Sequence, residues 1–227
     1  MTYNPGGFGM QPTGGRPPAR RSGVDHADRW KQSLLLTTGF VAILYVIELI
    51  DVITHQPFAQ AGIAPRDSDG LSGILFAPLI HANWGHLMSN AVPLLVLGFL
   101  VFLSTLMRAV AATAIIWIVG GAGTWLTGGE GTVHIGASII VFGWLAFLVM
   151  QGIFSRNAVQ LAVGVGVLFL YGGLFWGVLP GQPNISWQGH LFGAIGGVVA
   201  AWVLSGADRE RRRAARPGPK PYGGFAA

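Results

Sequence analysis

The chain has no cysteine, and only 10% of its 227 residues are charged. Without cysteine there is no disulfide framework. The scarcity of charge excludes more. A soluble domain carries about 25% charged residues. This chain, 52% hydrophobic with a mean hydropathy of +0.54, lacks the polar surface to cover itself in water. Of its 14 basic and 9 acidic residues, seven lie within residues 1–31, eight within 207–227 and eight across the whole of 32–206. That middle region reads as a membrane-embedded helical bundle, which excludes a soluble enzyme and a DNA-binding module. A β-barrel is excluded because the apolar runs are continuous, where barrel strands alternate. A cleavable signal is also missing: residues 1–31 are polar and rich in glycine and proline, with no apolar core.

What is there resolves into six apolar runs long enough to cross a bilayer. They are read as Leu34–Ile53, His86 to about Leu106, Ala109–Leu126, Ile135–Met150, Ala158–Leu179 and Gly189 to about Ser205. Three regions follow: a disordered Gly/Pro-rich tail (1–31), the transmembrane unit (32–206) and a basic tail (207–227). Six spans return the chain to its starting side. With Arg108 and Arg156 in loops on that side, 13 of the 14 Lys and Arg residues share it, and Arg66 alone lies opposite. By the positive-inside rule both termini are expected in the cytoplasm. The net charge of +5 sits in the tails, so it implies no nucleic acid. The basic stretch Arg209–Arg216 reads either as a patch against anionic membrane lipid or as a topogenic stop signal alone.

The second, fourth and sixth spans run from outside to inside, so their N-terminal ends share the outer leaflet. The unusual polar residues cluster there: His86 and Asn90 on the second, Ser138 on the fourth and His190 on the sixth. The i, i+4 spacing places His86 and Asn90 on one helix face. The fourth span is short, 16 residues or about 24 Å against a hydrocarbon core of about 30 Å. It can therefore start below the membrane surface, with Ser138 in its first turn beside free backbone N–H groups. Gly189, Gly193 and Gly197 recur every four residues and offer a smooth face for close approach to the fourth helix, where Gly136, Ala137 and Gly143 are also small. That approach brings Ser138 and His190 together as an activated nucleophile and its base, with His86, Asn90 and the Ser138 N–H as oxyanion donors.

The stretches HANWGHLMSN (His81–Asn90), HIGASIIVFG (His134–Gly143) and GHLFGAIGG (Gly189–Gly197) together resemble the motifs of the rhomboid family of intramembrane serine proteases. The resemblance covers roughly residues 34–206. It implies a six-helix, all-α integral membrane bundle of the bacterial plasma membrane and a serine endopeptidase with a Ser–His dyad. Ser138 would be the nucleophile and His190 the general base. His86 and Asn90 would be oxyanion partners, and Phe142 would pack against the imidazole. The implied substrates are single-span transmembrane proteins, and no cofactor or metal is called for. Two positions depart from the family pattern. Ile139 stands where a glycine usually follows the nucleophile, and Ser72-Gly73 stand where bacterial members often have Trp-Arg. Because of Ile139, a catalytically silent relative that binds transmembrane clients stays open as an alternative. Of the other outer-side histidines, His81 is expected to shape the first loop and His134 to cap the lead-in to the fourth helix.

Overall fold

The computed structural model describes residues 26–56, 58–182 and 184–214. Six helices are long and apolar enough to cross a membrane. They are α1 (His26–Thr54), α3 (Trp84–Phe102), α4 (Leu106–Thr127), α5 (Ser138–Ser155), α6 (Ala158–Tyr171, continued as a 3-10 segment Gly172–Val178) and α7 (Trp187–Ala214). Between α1 and α3 lies a loop of short helical turns, including α2 (Gly73–Phe76) and the 3-10 turn Ala77–Leu79. The chain is a multi-pass membrane protein.

The helix ends differ from the apolar runs in ways that capping explains. The Thr105 side chain accepts from Arg108 N–H and starts α4 three residues before Arg108, so Arg108 sits in the first turn of α4 and not in a loop. Asn157 accepts from Val159 and Gln160 N–H and starts α6 after Arg156, whose left-handed backbone (φ 53°) closes α5. At the chain's two ends the helices outrun the bilayer. Residues 26–31, read from sequence as disordered tail, belong to α1, and α7 continues past residue 206 to Ala214. Hydropathy measures what can cross lipid, whereas a helix continues until something breaks its hydrogen bonding. No glycine or proline lies between His26 and Leu34. The remainder of both tails lies outside the described residues.

Helix α5 is the central pillar. Of its spanning stretch 78% is buried inside the protein, against 11% for Ala158–Val178, which faces outward along most of its length. In lipid the hydrophobic effect does not drive helices together, so close backbone packing has to. Glycines supply it. A Cβ on Gly193 would lie 2.3 Å from the Ile139 carbonyl oxygen, and one on Gly197 would lie 2.1 Å from that of Gly143. Ile139, which stands where the family usually has glycine, is buried between Gly120 of α4 and Gly189 of α7. A Cβ on Gly120 would meet its Cγ2 at 2.4 Å, so the branched side chain fills the space that a glycine on α4 leaves open.

The first loop is anchored to the rest without a Trp-Arg pair. The Trp117 and Trp125 indoles of α4 donate to the carbonyls of Ile74 (2.8 Å) and Asp67 (2.9 Å). Gly73 packs so tightly that a Cβ would lie 2.1 Å from Gly62 O. Ile63 and His134 exchange two backbone hydrogen bonds of 2.9 Å, joining this loop to the segment that leads into α5.

Candidate active site

The turn into α5 is fixed from three directions. Gly136 has φ +116°, a conformation that side chains rarely adopt, and a Cβ there would lie 2.6 Å from the His86 ring. Its N–H donates to Ala77 O at 2.8 Å. The next N–H, of Ala137, donates to His81 Nε2 at 3.3 Å. Ser138 then opens the helix, nearly buried, with its backbone N–H in the first turn, where no intrahelical acceptor exists. The glycine therefore serves twice, for its dihedral and for the approach of an imidazole.

His86 lies in the first turn of α3, capped by the Asn83 side chain, which accepts His86 N–H at 2.9 Å. Its Nδ1 accepts from Ala82 N–H at 3.5 Å, and its ring meets that of His81 edge to face, centroids 5.1 Å apart. Asn90, one turn on, is buried. Its amide donates one hydrogen to His86 O at 3.0 Å and keeps a second. His190, in the first turn of α7, stacks on Phe142 with centroids 4.0 Å apart and planes 11° from parallel. Its Nδ1 lies 2.9 Å from Gly177 O. His86, Asn90, Ser138, Phe142 and His190 all line one cavity of about 760 Å³. These five residues, from α3, α5 and α7, share one chamber, whereas His81 does not line it. Among the described residues, no hydrogen bond joins Ser138 to His190, although both line the same cavity.

Of the two remaining histidines singled out from the sequence, one departs from expectation. His134 does not cap α5: the residue before the helix is Ala137, which offers no side chain for capping. Instead the His134 ring spans two hydroxyls, with Nδ1 2.7 Å from Ser186 Oγ and Nε2 3.0 Å from Thr132 Oγ1. Burial lowers its pKa, which favours the neutral ring. The hydrogens then run in one direction. Ser186 donates to Nδ1 while accepting Gly189 N–H (3.2 Å), Nε2–H donates to Thr132, and Thr132 donates to Gly129 O at 2.6 Å. This chain of bonds fastens the start of α7 to the loop after α4. His81 does shape the first loop, and it does so by holding Ala137. Its pKa is lowered to about 4, first by burial and then by the neighbouring His86, so the ring stays the acceptor that Ala137 needs. Sequence reading missed the 3-10 wall as well. Gly173, Leu174, Trp176 and Gly177 line the cavity from a stretch whose only sequence signal is its glycines.

Comparison with known proteins identifies the family. A family model described as Rhomboid domain matches residues 68–207, from the first loop through the membrane part of α7. An uncharacterized protein of Mycobacterium tuberculosis (strain ATCC 25618 / H37Rv) is 50% identical over 218 residues, covering 92% of this chain and 90% of the relative. One from Mycobacterium leprae is 48% identical over 192 residues, covering 81% and 76%. Rhomboid-like protein 11, chloroplastic, of Arabidopsis thaliana is 30% identical over 157 residues, covering 57% and 51%. No solved structure gives a significant match. The six-helix architecture and the matched domain lead to one conclusion: this chain belongs to the rhomboid family.

Proposed function

We propose that the chain is an intramembrane serine endopeptidase that cleaves single-span transmembrane proteins near the outer face of a bacterial plasma membrane. The observation that carries this is the convergence of Ser138, His190, His86 and Asn90, from three separate helices, on one cavity at the end of the bundle where α3, α5 and α7 begin. Polar groups inside a membrane are costly and are usually functional.

In this reading His190 Nε2 takes the proton of Ser138 Oγ as that oxygen attacks the scissile carbonyl. The oxyanion that forms meets the Ser138 N–H, the unused Asn90 amide hydrogen and His86. The imidazolium then gives its proton to the leaving amine, the C–N bond breaks, and an acyl-Ser138 ester remains. Water, deprotonated by the same imidazole, hydrolyses that ester and restores Ser138. The stack on Phe142 holds the ring plane through both transfers. Thirteen of fourteen basic residues on one side favour cytoplasmic termini, which puts the cavity mouth outside.

The test is cleavage of a transmembrane reporter by purified protein. Ser138→Ala should abolish it, as should His190→Ala, and cleavage that persists in both would refute the assignment. A second reading, client binding without catalysis, is favoured by Ile139 in place of the glycine that usually follows the nucleophile. Labelling of Ser138 by a fluorophosphonate separates the two, because a silent relative would not react.

A further inference from the structure

One wall of the cavity is the 3-10 segment Gly172–Val178, which turns a backbone carbonyl toward the imidazole. Gly177 O lies 2.9 Å from His190 Nδ1. A carbonyl only accepts, so the nitrogen facing it carries the ring hydrogen and Nε2 is left bare. That is the tautomer a base for Ser138 requires. In the soluble serine proteases a buried carboxylate fixes it. Among the described residues no carboxylate lines the cavity, and an ion in this setting would bear a heavy desolvation cost that a neutral carbonyl avoids.

Gly177 is also the residue that lets the carbonyl come this close. A Cβ at this position would lie 2.9 Å from His190 Nδ1 and 3.0 Å from Phe142 Cζ. Bare backbone therefore packs against the edge of the imidazole and the edge of the ring stacked on it. The segment carrying it ends the least buried of the six spans, Ala158–Val178, of which 11% is buried. It shares the cavity lining with His86 and Asn90 of α3.

We propose that the Gly177 carbonyl is a positioning group for His190, standing where a triad carboxylate would, and that the imidazole tautomer therefore depends on where this wall stands. The proposal rests on the reading of His190 as the base. A substrate segment that pushes the wall outward lengthens the Nδ1–H···O bond and releases the ring. One that leaves Gly177 seated keeps the base poised. Productive binding and imidazole orientation are thus read from a single contact.

The test uses the full-length protein in nanodiscs, with 15N-labelled histidine assigned by His190→Gln. Two variants accompany it. Gly177→Ala crowds the contact. An ester in place of the 177–178 amide, introduced as the hydroxy-acid analogue of valine at Val178, keeps the shape and weakens the carbonyl as an acceptor. The wild type should carry its hydrogen on Nδ1. Both variants should move population to the Nε2–H form and lower kcat by at least about 10-fold with KM within about 2-fold. The ceiling is the about 10⁴-fold cost of a wrong tautomer in a serine protease. A wild-type ring protonated on Nε2, or an ester variant with unchanged tautomer or unchanged kcat, would overturn the proposal. Failure of the protease reading is recognised separately, by cleavage that survives Ser138→Ala, because the NMR signature needs no turnover.

Discussion

Adding a single methyl group at Gly193 should disable the site from a distance. The new Cβ would stand 2.3 Å from Ile139 O and 3.1 Å from Ile139 Cα, whereas ordinary contact begins near 3.4 Å. Both obstacles are backbone, so no side chain can swing away, and α5 and α7 must separate by about 1 Å at this level. Ile139 directly follows Ser138, and His190 sits less than one turn before Gly193. The separation therefore falls almost entirely on the nucleophile-to-base distance. Overpacking of this kind costs about 1–3 kcal/mol of stability. A 1 Å misplacement of reacting groups costs about 10²-fold in rate, or about 2.7 kcal/mol of transition-state stabilisation. The assay pairs initial rates on a transmembrane reporter in detergent micelles with thermal unfolding followed by tryptophan fluorescence. Gly166→Ala on α6 is the control, since a Cβ there meets nothing within 4 Å. It should be silent or stabilising by up to about 1 kcal/mol. A Gly193→Ala protein with parental rate and parental melting temperature would refute the reasoning.

Other outcomes can be stated briefly. Phe142→Ala removes the 4.0 Å stack on His190 and should lower kcat about 10-fold, while Phe142→Tyr retains the ring and most of the rate; steady-state kinetics on the same reporter will tell. His81, held near pKa 4 by burial, should make stability pH-dependent: between about pH 6.5 and 4 the unfolded chain binds more protons than the folded one, so melting temperature falls as pH drops through that window. In His81→Gln the fall should be shallower; an unchanged pH profile would remove His81 from the account. Ile139→Gly, which restores the usual family residue, should destabilise by about 2–5 kcal/mol through the void left beside Gly120. Adding Gly120→Val should recover part of the loss, and a double-mutant cycle with no coupling would count against this packing.

The parts of the site that were legible in the sequence are those where a polar or very small residue breaks an apolar run. Ser138, His190, His86 and Asn90 stood out because lipid tolerates few such groups, and the glycine spacing of α7 pointed to α5. Contacts made by the main chain were not legible. The Gly177 carbonyl carries no side-chain identity, and nothing in the composition of residues 172–178 announces that one oxygen will face an imidazole. His134 was misread for a related reason. Its position before a helix suggested a cap, but its backbone was committed to Ile63 and its ring to Ser186, partners distant in sequence. Ile139 looked like a departure because the compensating residue, Gly120, lies on another helix and in no motif.

The backbone exchange between Ile63 and His134 has a consequence for the order in which the protein is made. The lead-in to Ser138 takes its shape from a loop synthesised two helices earlier, and His190 arrives later still, on the last helix. Contacts between such distant segments close slowly and late in folding. A chain still emerging from the ribosome therefore holds its serine in an unshaped turn with no imidazole beside it. Under the proposed activity, the nascent protein cannot cut the neighbours with which it shares the insertion machinery until its sixth span is in place.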